Sequence, residues 1–181
     1  MDATEYINNH WNPYEVWHVL QSPRHQKRLA TCAAHLPLPP ATYADIGCAN
    51  GHSTAIMASH VGGLRRWTGV DFANTVRAVE HNFPTLQAIH VPSIAQLSTL
   101  VIAHDGVVCS EVIEHVEDDQ LLVDQLMAIT RKVLVITTPC RHIVDPGHLR
   151  VYTENQLRAL CPDGHIEQEE RFFYLTWRRE T

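Results

Sequence analysis

The sequence has no run of 18 apolar residues, so nothing in it reads as a membrane-spanning helix. Cysteine is scarce and unpatterned. The five cysteines stand at 32, 48, 109, 140 and 161, an odd number with no two closer than 16 positions. Neither a Cys-x-x-Cys pair nor a disulfide framework can be drawn from them. The opening residues Met1-Asp2-Ala3-Thr4-Glu5 lack the basic and apolar regions of a secretory signal, so a cytoplasmic protein is expected. Basic residues are the minority, 14 against 20 acidic, for a net charge of −6. That balance argues against a protein that coats nucleic acid, whose footprint is a basic face. Repeats and low-complexity tracts are also missing. What is present is an apolar fraction of 45% in 181 residues, enough to bury the core of one domain.

Four short apolar runs are separated by helical patterns: Thr42 to Ile46, Arg66 to Val70, Gly106 to Cys109, and Lys132 to Thr137, with Leu86 to Val91 a weaker fifth. The last two of the four are continuous rather than alternating, as in strands covered by helices on both faces. Between strands, Val76, Val79 and Phe83 form one helical stripe and Leu122, Leu126 and Ile129 another. Asn74 can cap the first of these helices, and Asp118 with Asp119 complement the start of the second. Thr153-x-x-Gln156 is a capping box that starts a helix near Glu154. Residues 13–36 read as a helix, and Pro37, Pro39 and Pro40 break it before the first strand.

Alternating strands and helices give a doubly wound α/β fold, a Rossmann-like, mostly parallel sheet of six or seven strands with helices on both faces. The expected organisation is a single domain over 1–181. Residues 1–40 form its helical cap and Pro-rich connection, and 41–181 its cofactor-binding sheet. From His165 to Glu180 there is no glycine, proline or asparagine to turn a hairpin, so a reduced C-terminal edge is expected. Such an exposed edge would favour a homodimer over a monomer.

Open α/β sheets bind ligands beyond the carboxyl ends of their strands. Three features of the sequence fall there. Asp45-Ile46-Gly47-Cys48-Ala49-Asn50-Gly51 leaves the first strand, with glycines that let a backbone approach a ligand; a plain tight βα turn would use them too. Asp71, 26 residues after Asp45, can accept both hydroxyls of a ribose or can cap the next helix. Ser110-Glu111-Val112-Ile113-Glu114-His115 follows the 106–109 strand, with Glu111, Glu114 and His115 facing a cleft or opening a helix as ordinary polar residues.

Together these segments resemble the class I S-adenosylmethionine-dependent methyltransferases. Asp45 to Gly51 is similar to that family's glycine-rich first motif and Gly69-Val70-Asp71 to its acidic second motif. Ser110 to Val116 resembles the fourth motif of the branch with the ubiquinone-biosynthesis O-methyltransferases and the small type 11, 12 and 23 methyltransferase domains. Gly147-His148-Leu149-Arg150-Val151-Tyr152-Thr153 resembles a segment before the last helix in small members of that branch. The resemblance covers about residues 24–160. A nicotinamide oxidoreductase shares the glycine turn, but its Gly-x-Gly-x-x-Gly spacing is not met.

The resemblance implies S-adenosyl-L-methionine as cofactor, with Asp45 toward the methionine ammonium, and Gly47, Cys48 and Gly51 making room for the methionine portion. It implies Asp71 on the ribose, Phe72, Ser93 and Ile94 around the adenine, and Ser110 and Glu111 along the methionine. Arg28 would pair with the methionine carboxylate, though Arg24 and Lys27 lie within a turn of it. Ala49 stands where a glycine is usual and brings a Cβ toward the cofactor.

The implied activity is transfer of a methyl group to an oxygen or nitrogen of a small-molecule acceptor. Such displacement at a sulfonium is mostly positioning, but an oxygen nucleophile must also lose a proton. His148, His115 and His142 are the candidate bases, His148 first because its loop should roof the pocket. Arg150, Tyr152 and Trp17 are the candidate substrate contacts. A metal such as magnesium is not expected; Glu111, Glu114 and His115 carry the ligand types one would need, with His142 or His148 as a further donor. The alternatives are a non-catalytic S-adenosylmethionine-binding module or partner subunit, a metal-dependent RNA methyltransferase, which the acidic charge disfavours, and the oxidoreductase.

Overall fold

The computed structural model describes residues 21–73, 77–141 and 147–180, side chains included except that of Arg77. Asn74, Val76, His142 and Trp17 therefore lie outside the described residues. The strands are β1 (Tyr43–Ile46), β2 (Trp67–Asp71), β3 (Gln87–His90), β4 (His104–Ser110), β5 (Thr130–Pro139), β6 (His165–Glu169) and β7 (Phe172–Arg178). The helices are α1 (Pro23–His35), α2 (His52–His60), α3 (Arg77–Asn82), α4 (Leu97–Leu100), α5 (Asp119–Ala128) and α6 (Glu154–Leu160). The strands form one seven-stranded sheet in the order β3-β2-β1-β4-β5-β7-β6, parallel except for β7, which is antiparallel to both neighbours.

Alternate residues of each central strand feed two cores. Ala44, Ile46, Val107, Cys109, Leu134 and Ile136 face one side, where Leu122, Leu126 and Ile129 of the α5 stripe meet them. Tyr43, Val108, Val133 and Val135 face the other, under Leu29 and Cys32 of α1 and Met57 of α2. Burial on both faces explains the continuous apolar runs of β4 and β5.

Two expectations are corrected. Of the helix read over 13–36, residues 13–20 lie outside the described residues, and the described helix α1 starts at Pro23 behind Ser22, whose extended backbone (ψ 139°) and hydroxyl cap it. Pro23 is the reason: it disfavours helical geometry in the residue before it and suits the first position of a helix. The C-terminal edge is not reduced. Glu170 and Arg171 turn a full β6–β7 hairpin, with Glu170 at φ +54°. A left-handed non-glycine residue costs about 1–2 kcal/mol, and the seven-residue β7, paired on both sides, outweighs it. Asp118 caps α5 through the Leu121 amide, and Thr153 and Gln156 make the capping box of α6, as expected.

Where α1 meets the hairpin, His25 packs edge-on against Phe172, with ring centres 5.8 Å apart. Burial, then the nearby Arg28 and Arg24 charges, lower its pKa to about 4. The folded chain thus holds this ring neutral where the unfolded chain, with a pKa near 6.5, would protonate it. The resulting stability is complete above pH 6.5 and is lost as pH falls toward 4. His25→Phe keeps a ring against Phe172 and removes the proton site. The stability difference between wild type and variant should be flat above about pH 6.5 and should narrow in the wild type's disfavour below it, as denaturant titrations across pH will show.

Candidate active site

The chain order runs outward from β1 to β3, then returns to β4 beside β1, so the sheet's switch point lies between the ends of β1 and β4, where Ile46 sits opposite Cys109. A crevice at such a point is where open α/β sheets take ligands. The turn leaving β1 is locked to β2, because the Gly47 and Cys48 amides donate to the Val70 carbonyl at 2.8 and 3.0 Å. Gly47 and Gly51 both have φ +86°, and Gly51 opens α2. Ala49 has φ +49°, which strains the one position where a glycine was missing. Its amide donates to Asp71 Oδ2 at 2.7 Å, while the Ala73 amide donates to Oδ1, also at 2.7 Å. Asp71 is therefore the clasp of the glycine turn and closes a turn two residues long after β2, whereas the helix it was expected to cap begins at Arg77. Burial raises its pKa against these amide bonds.

Asp45 is buried and accepts from Thr54 Oγ1 at 2.6 Å and Ser53 Oγ at 3.1 Å, so its carboxylate anchors the start of α2. Burial raises its pKa to about 6. The Cys48 thiol points inward, against the space over Gly69. Phe72 and Ile94 pack with Ile89 and Val112 on the rim of one core, and Ser93 precedes the short 3₁₀ turn Ile94–Gln96.

At the end of β4, Ser110 Oγ lies 2.8 Å from Thr137 Oγ1. Glu111 sits at φ +59°, a strained conformation of the kind that collects at functional sites. Its carboxylate meets Arg28 Nη1 at 2.9 Å, and the guanidinium lies 5.0 Å over the Phe172 ring. Arg28, from α1, is 5% exposed, and its Nε has no hydrogen-bond partner among the described residues. Glu114 is wholly buried. It accepts from Thr138 Oγ1 at 3.2 Å, and its Oε1 lies 4.0 Å from His148 Nε2. Burial, with the Glu111 charge adding to it, holds its pKa well above the usual range. His115 and His148 meet edge to face at 4.6 Å. His115 Nδ1 lies 2.9 Å from the Gly147 carbonyl, which can only accept, so Nδ1 carries the proton and Nε2 the lone pair.

The structure thus brings Asp45, Gly47, Cys48, Gly51, Asp71, Phe72, Ser93, Ile94, Ser110, Glu111 and Arg28 to one end of the sheet, with Glu114, His115 and His148 beside them. It gives Arg150 and Tyr152 other partners. Both bond Asp119 at the start of α5, Tyr152 at 2.8 Å, and Arg150 Nη2 also donates to the Glu117 carbonyl at 2.9 Å, which pins the 147–153 segment. Glu111 faces Arg28 rather than the histidines; the ligand atoms of Glu114, His115 and His148 are the ones that lie together, within 4.8 Å. Thr137 and Thr138 escaped the sequence reading. The signal was there, two hydroxyls closing an apolar strand at the ligand-binding end.

A methyltransferase-domain family model matches residues 44–133. Comparison with curated protein sequences returned no match. Among solved structures, magnesium protoporphyrin IX methyltransferase from Synechocystis PCC 6803, with bound S-adenosylhomocysteine, superposes with a TM-score of 0.73 at 16% identity over 98% of each chain. N-methyltransferase NodS from Bradyrhizobium japonicum WM9 gives a TM-score of 0.75 at 17% identity over the whole of both chains. Burkholderia thailandensis 1,6-didemethyltoxoflavin-N1-methyltransferase gives 0.72 at 16% identity over 99% of this chain and 87% of its own. At such identities the likeness establishes the fold. The chain belongs to the class I S-adenosylmethionine-dependent methyltransferases. No helix among the described residues is long and apolar enough to cross a membrane.

Proposed function

We propose that this methyltransferase acts on an oxygen or nitrogen of a small molecule, with its cofactor in the crevice between β1 and β4 and its acceptor under the 147–153 segment. The single observation that carries the acceptor half is the buried Glu114 carboxylate behind His148, 4.0 Å away. The names of the structural neighbours, which include a porphyrin and a toxoflavin methyltransferase, support a small acceptor.

The residues fit the cofactor. The Asp71 oxygens each use one lone pair on an amide and keep another for a ribose hydroxyl. Phe72 and Ile94 offer apolar surface to an adenine. Gly47, Gly51 and the Cys48 backbone leave room for the methionine portion, and Asp45 and Ser110 border it. Arg28, with one nitrogen unspent, faces a carboxylate while balancing Glu111. Bound there, S-adenosylmethionine supplies a methyl group on a sulfonium that is already a good leaving group. His148 takes the acceptor's proton, and the imidazolium that results offsets the burial that holds Glu114 toward its neutral form, so that the carboxylate and the imidazolium stabilise one another as a pair. Arg150 and Tyr152, by holding their segment to Asp119, position His148.

His148→Gln should lower turnover about 100-fold or more, the usual worth of a general base. Affinity for S-adenosylhomocysteine should stay within about twofold, since the cofactor crevice is untouched. Acceptor screening by S-adenosylhomocysteine release measures the first and calorimetry the second. Unchanged turnover would move the base to His115.

A second reading rests on the convergence of Glu114, His115 and His148 within 4.8 Å. One carboxylate and two imidazoles suit a divalent ion. In that case chelation would abolish wild-type turnover, and added magnesium, manganese or zinc would restore it. Full activity in chelator keeps His148 as the base.

A further inference from the structure

The end of the sheet opposite the crevice collects positive charge. Trp67, Tyr43, Gly106, Val133 and Arg178 lie side by side there across β2, β1, β4, β5 and β7. One step further out are Arg66, Lys132 and Arg179, and beyond them Arg65 and Arg131. Six of the 14 basic residues of the chain thus stand along an edge of five strands, about 19 Å at the usual strand spacing. All six are exposed. Among the described residues the acidic side chains at this end are Asp105, Asp163 and Glu180, with Glu167 drawn toward His165 and His35 at its margin, so six basic residues outnumber them here although the whole chain carries a net charge of −6.

The six differ in how they are held. Lys132 pairs with Asp105 at 3.3 Å. Arg179 donates to the Thr130 and Met127 carbonyls, and Arg66 Nη1 to the Ala41 carbonyl. The side chains of Arg65, Arg131 and Arg178 make no hydrogen bond or close ion pair among the described residues. Apolar side chains accompany them. Leu38 is 82% exposed and Ile102 73%, each in the connection that enters a strand at this end, and the half-exposed Leu100 stands beside Ile102 in sequence.

We propose that this end docks on an anionic membrane surface. Exposed aliphatic side chains among arginines are what a headgroup layer accepts, the apolar groups entering it and the cations facing its phosphates. A nucleic-acid grip pairs its cations with open aromatic faces instead. The aromatics here offer none: Trp67 and Tyr43 are buried, and Trp177 lies under the Arg179 guanidinium, 5.4 Å from its ring. Docking by the amino ends of the parallel strands leaves the crevice at their carboxyl ends facing the solvent.

Sedimentation with vesicles tests this. The protein should pellet with phosphatidylcholine vesicles containing phosphatidylserine and not with phosphatidylcholine alone. Raising salt from about 0.1 M, where the screening length is about 10 Å, to about 0.5 M should release it. Each basic side chain near such a surface is worth about fivefold in partition, so Arg65→Gln, Arg131→Gln and Arg178→Gln together should weaken partition on the order of 100-fold. Leu38→Ser with Ile102→Ser should weaken it independently. Unchanged melting temperature and S-adenosylhomocysteine affinity in both variants separate this surface from the cofactor site. No pelleting with phosphatidylserine vesicles, equal partition of the triple variant, or binding to a single-stranded oligonucleotide that the triple variant alone loses would overturn the proposal, the last in favour of nucleic acid.

Discussion

Asp71→Ala should weaken S-adenosylhomocysteine binding on the order of 1,000-fold, the largest functional effect expected of any single substitution here. Two charge-assisted hydrogen bonds to ribose hydroxyls, at about 1.5–3 kcal/mol each, account for most of it. The same carboxylate also holds the Ala49 and Ala73 amides at 2.7 Å. Its loss leaves both donors unpaired in a nearly closed environment, so the glycine turn loosens as well. A ligand analogue separates the two contributions. Wild type should bind the 2′-deoxy analogue of S-adenosylhomocysteine at least about tenfold more weakly than the parent, the worth of one such bond. The alanine variant, having no carboxylate to contact, should bind the two alike. Calorimetry with both ligands reads this directly. A variant that still discriminates between them would remove Asp71 from the ribose and leave it only the clasp.

The sheet was legible because its physics is local. Buried parallel strands must be apolar on both faces, and β4 and β5 show this as Gly106 to Cys109 and Lys132 to Thr137, extended by the structure to His104–Ser110 and Thr130–Pro139. The capping box at Thr153 and Gln156 was equally plain, since its two partners are three residues apart. The hairpin was not. Its turn is Glu170-Arg171, which carries none of the residues that favour positive φ, and what holds it is the pairing of β7 with β5, 33 to 45 residues distant in the sequence. The site divides the same way. Glycines 47 and 51 and Asp71 announce themselves by type and place. The partners of Arg28, Glu111 and Glu114 do not, because each lies across the fold: Phe172 beneath Arg28, Thr137 beside Glu111, Thr138 and His148 about Glu114. Sequence spacing put Glu111, Glu114 and His115 together. The left-handed turn at Glu111 sends its carboxylate to Arg28 instead, and His148 takes the vacated place beside Glu114.

Gly47→Ala should cost the most stability of any change confined to one methyl group. At φ +86° an alanine carries the left-handed penalty of about 1–2 kcal/mol. Its Cβ would also stand 2.2 Å from Val112 Cγ2, an overlap that core packing relieves at about 1–3 kcal/mol. The sum, about 2–5 kcal/mol, is a large share of the roughly 5–15 kcal/mol that holds a domain folded. In a chain of this size it lowers the melting temperature by about 4–20 °C. Val112→Ala removes the colliding methyl and leaves Cβ at 3.5 Å, an ordinary contact. The double variant should therefore recover the overlap share and keep the backbone share, a coupling of about 1–3 kcal/mol in a double-mutant cycle read by denaturant unfolding. Additive losses would show that the turn moves aside at no cost. Coupling would show more than packing, because Val112 follows Glu111, itself held at φ +59°. The first and fourth motifs then brace one another through a single methyl group. The bare Cα at Gly47 lets the β1 turn close against the β4 turn, and Glu111 is thereby held within reach of Arg28.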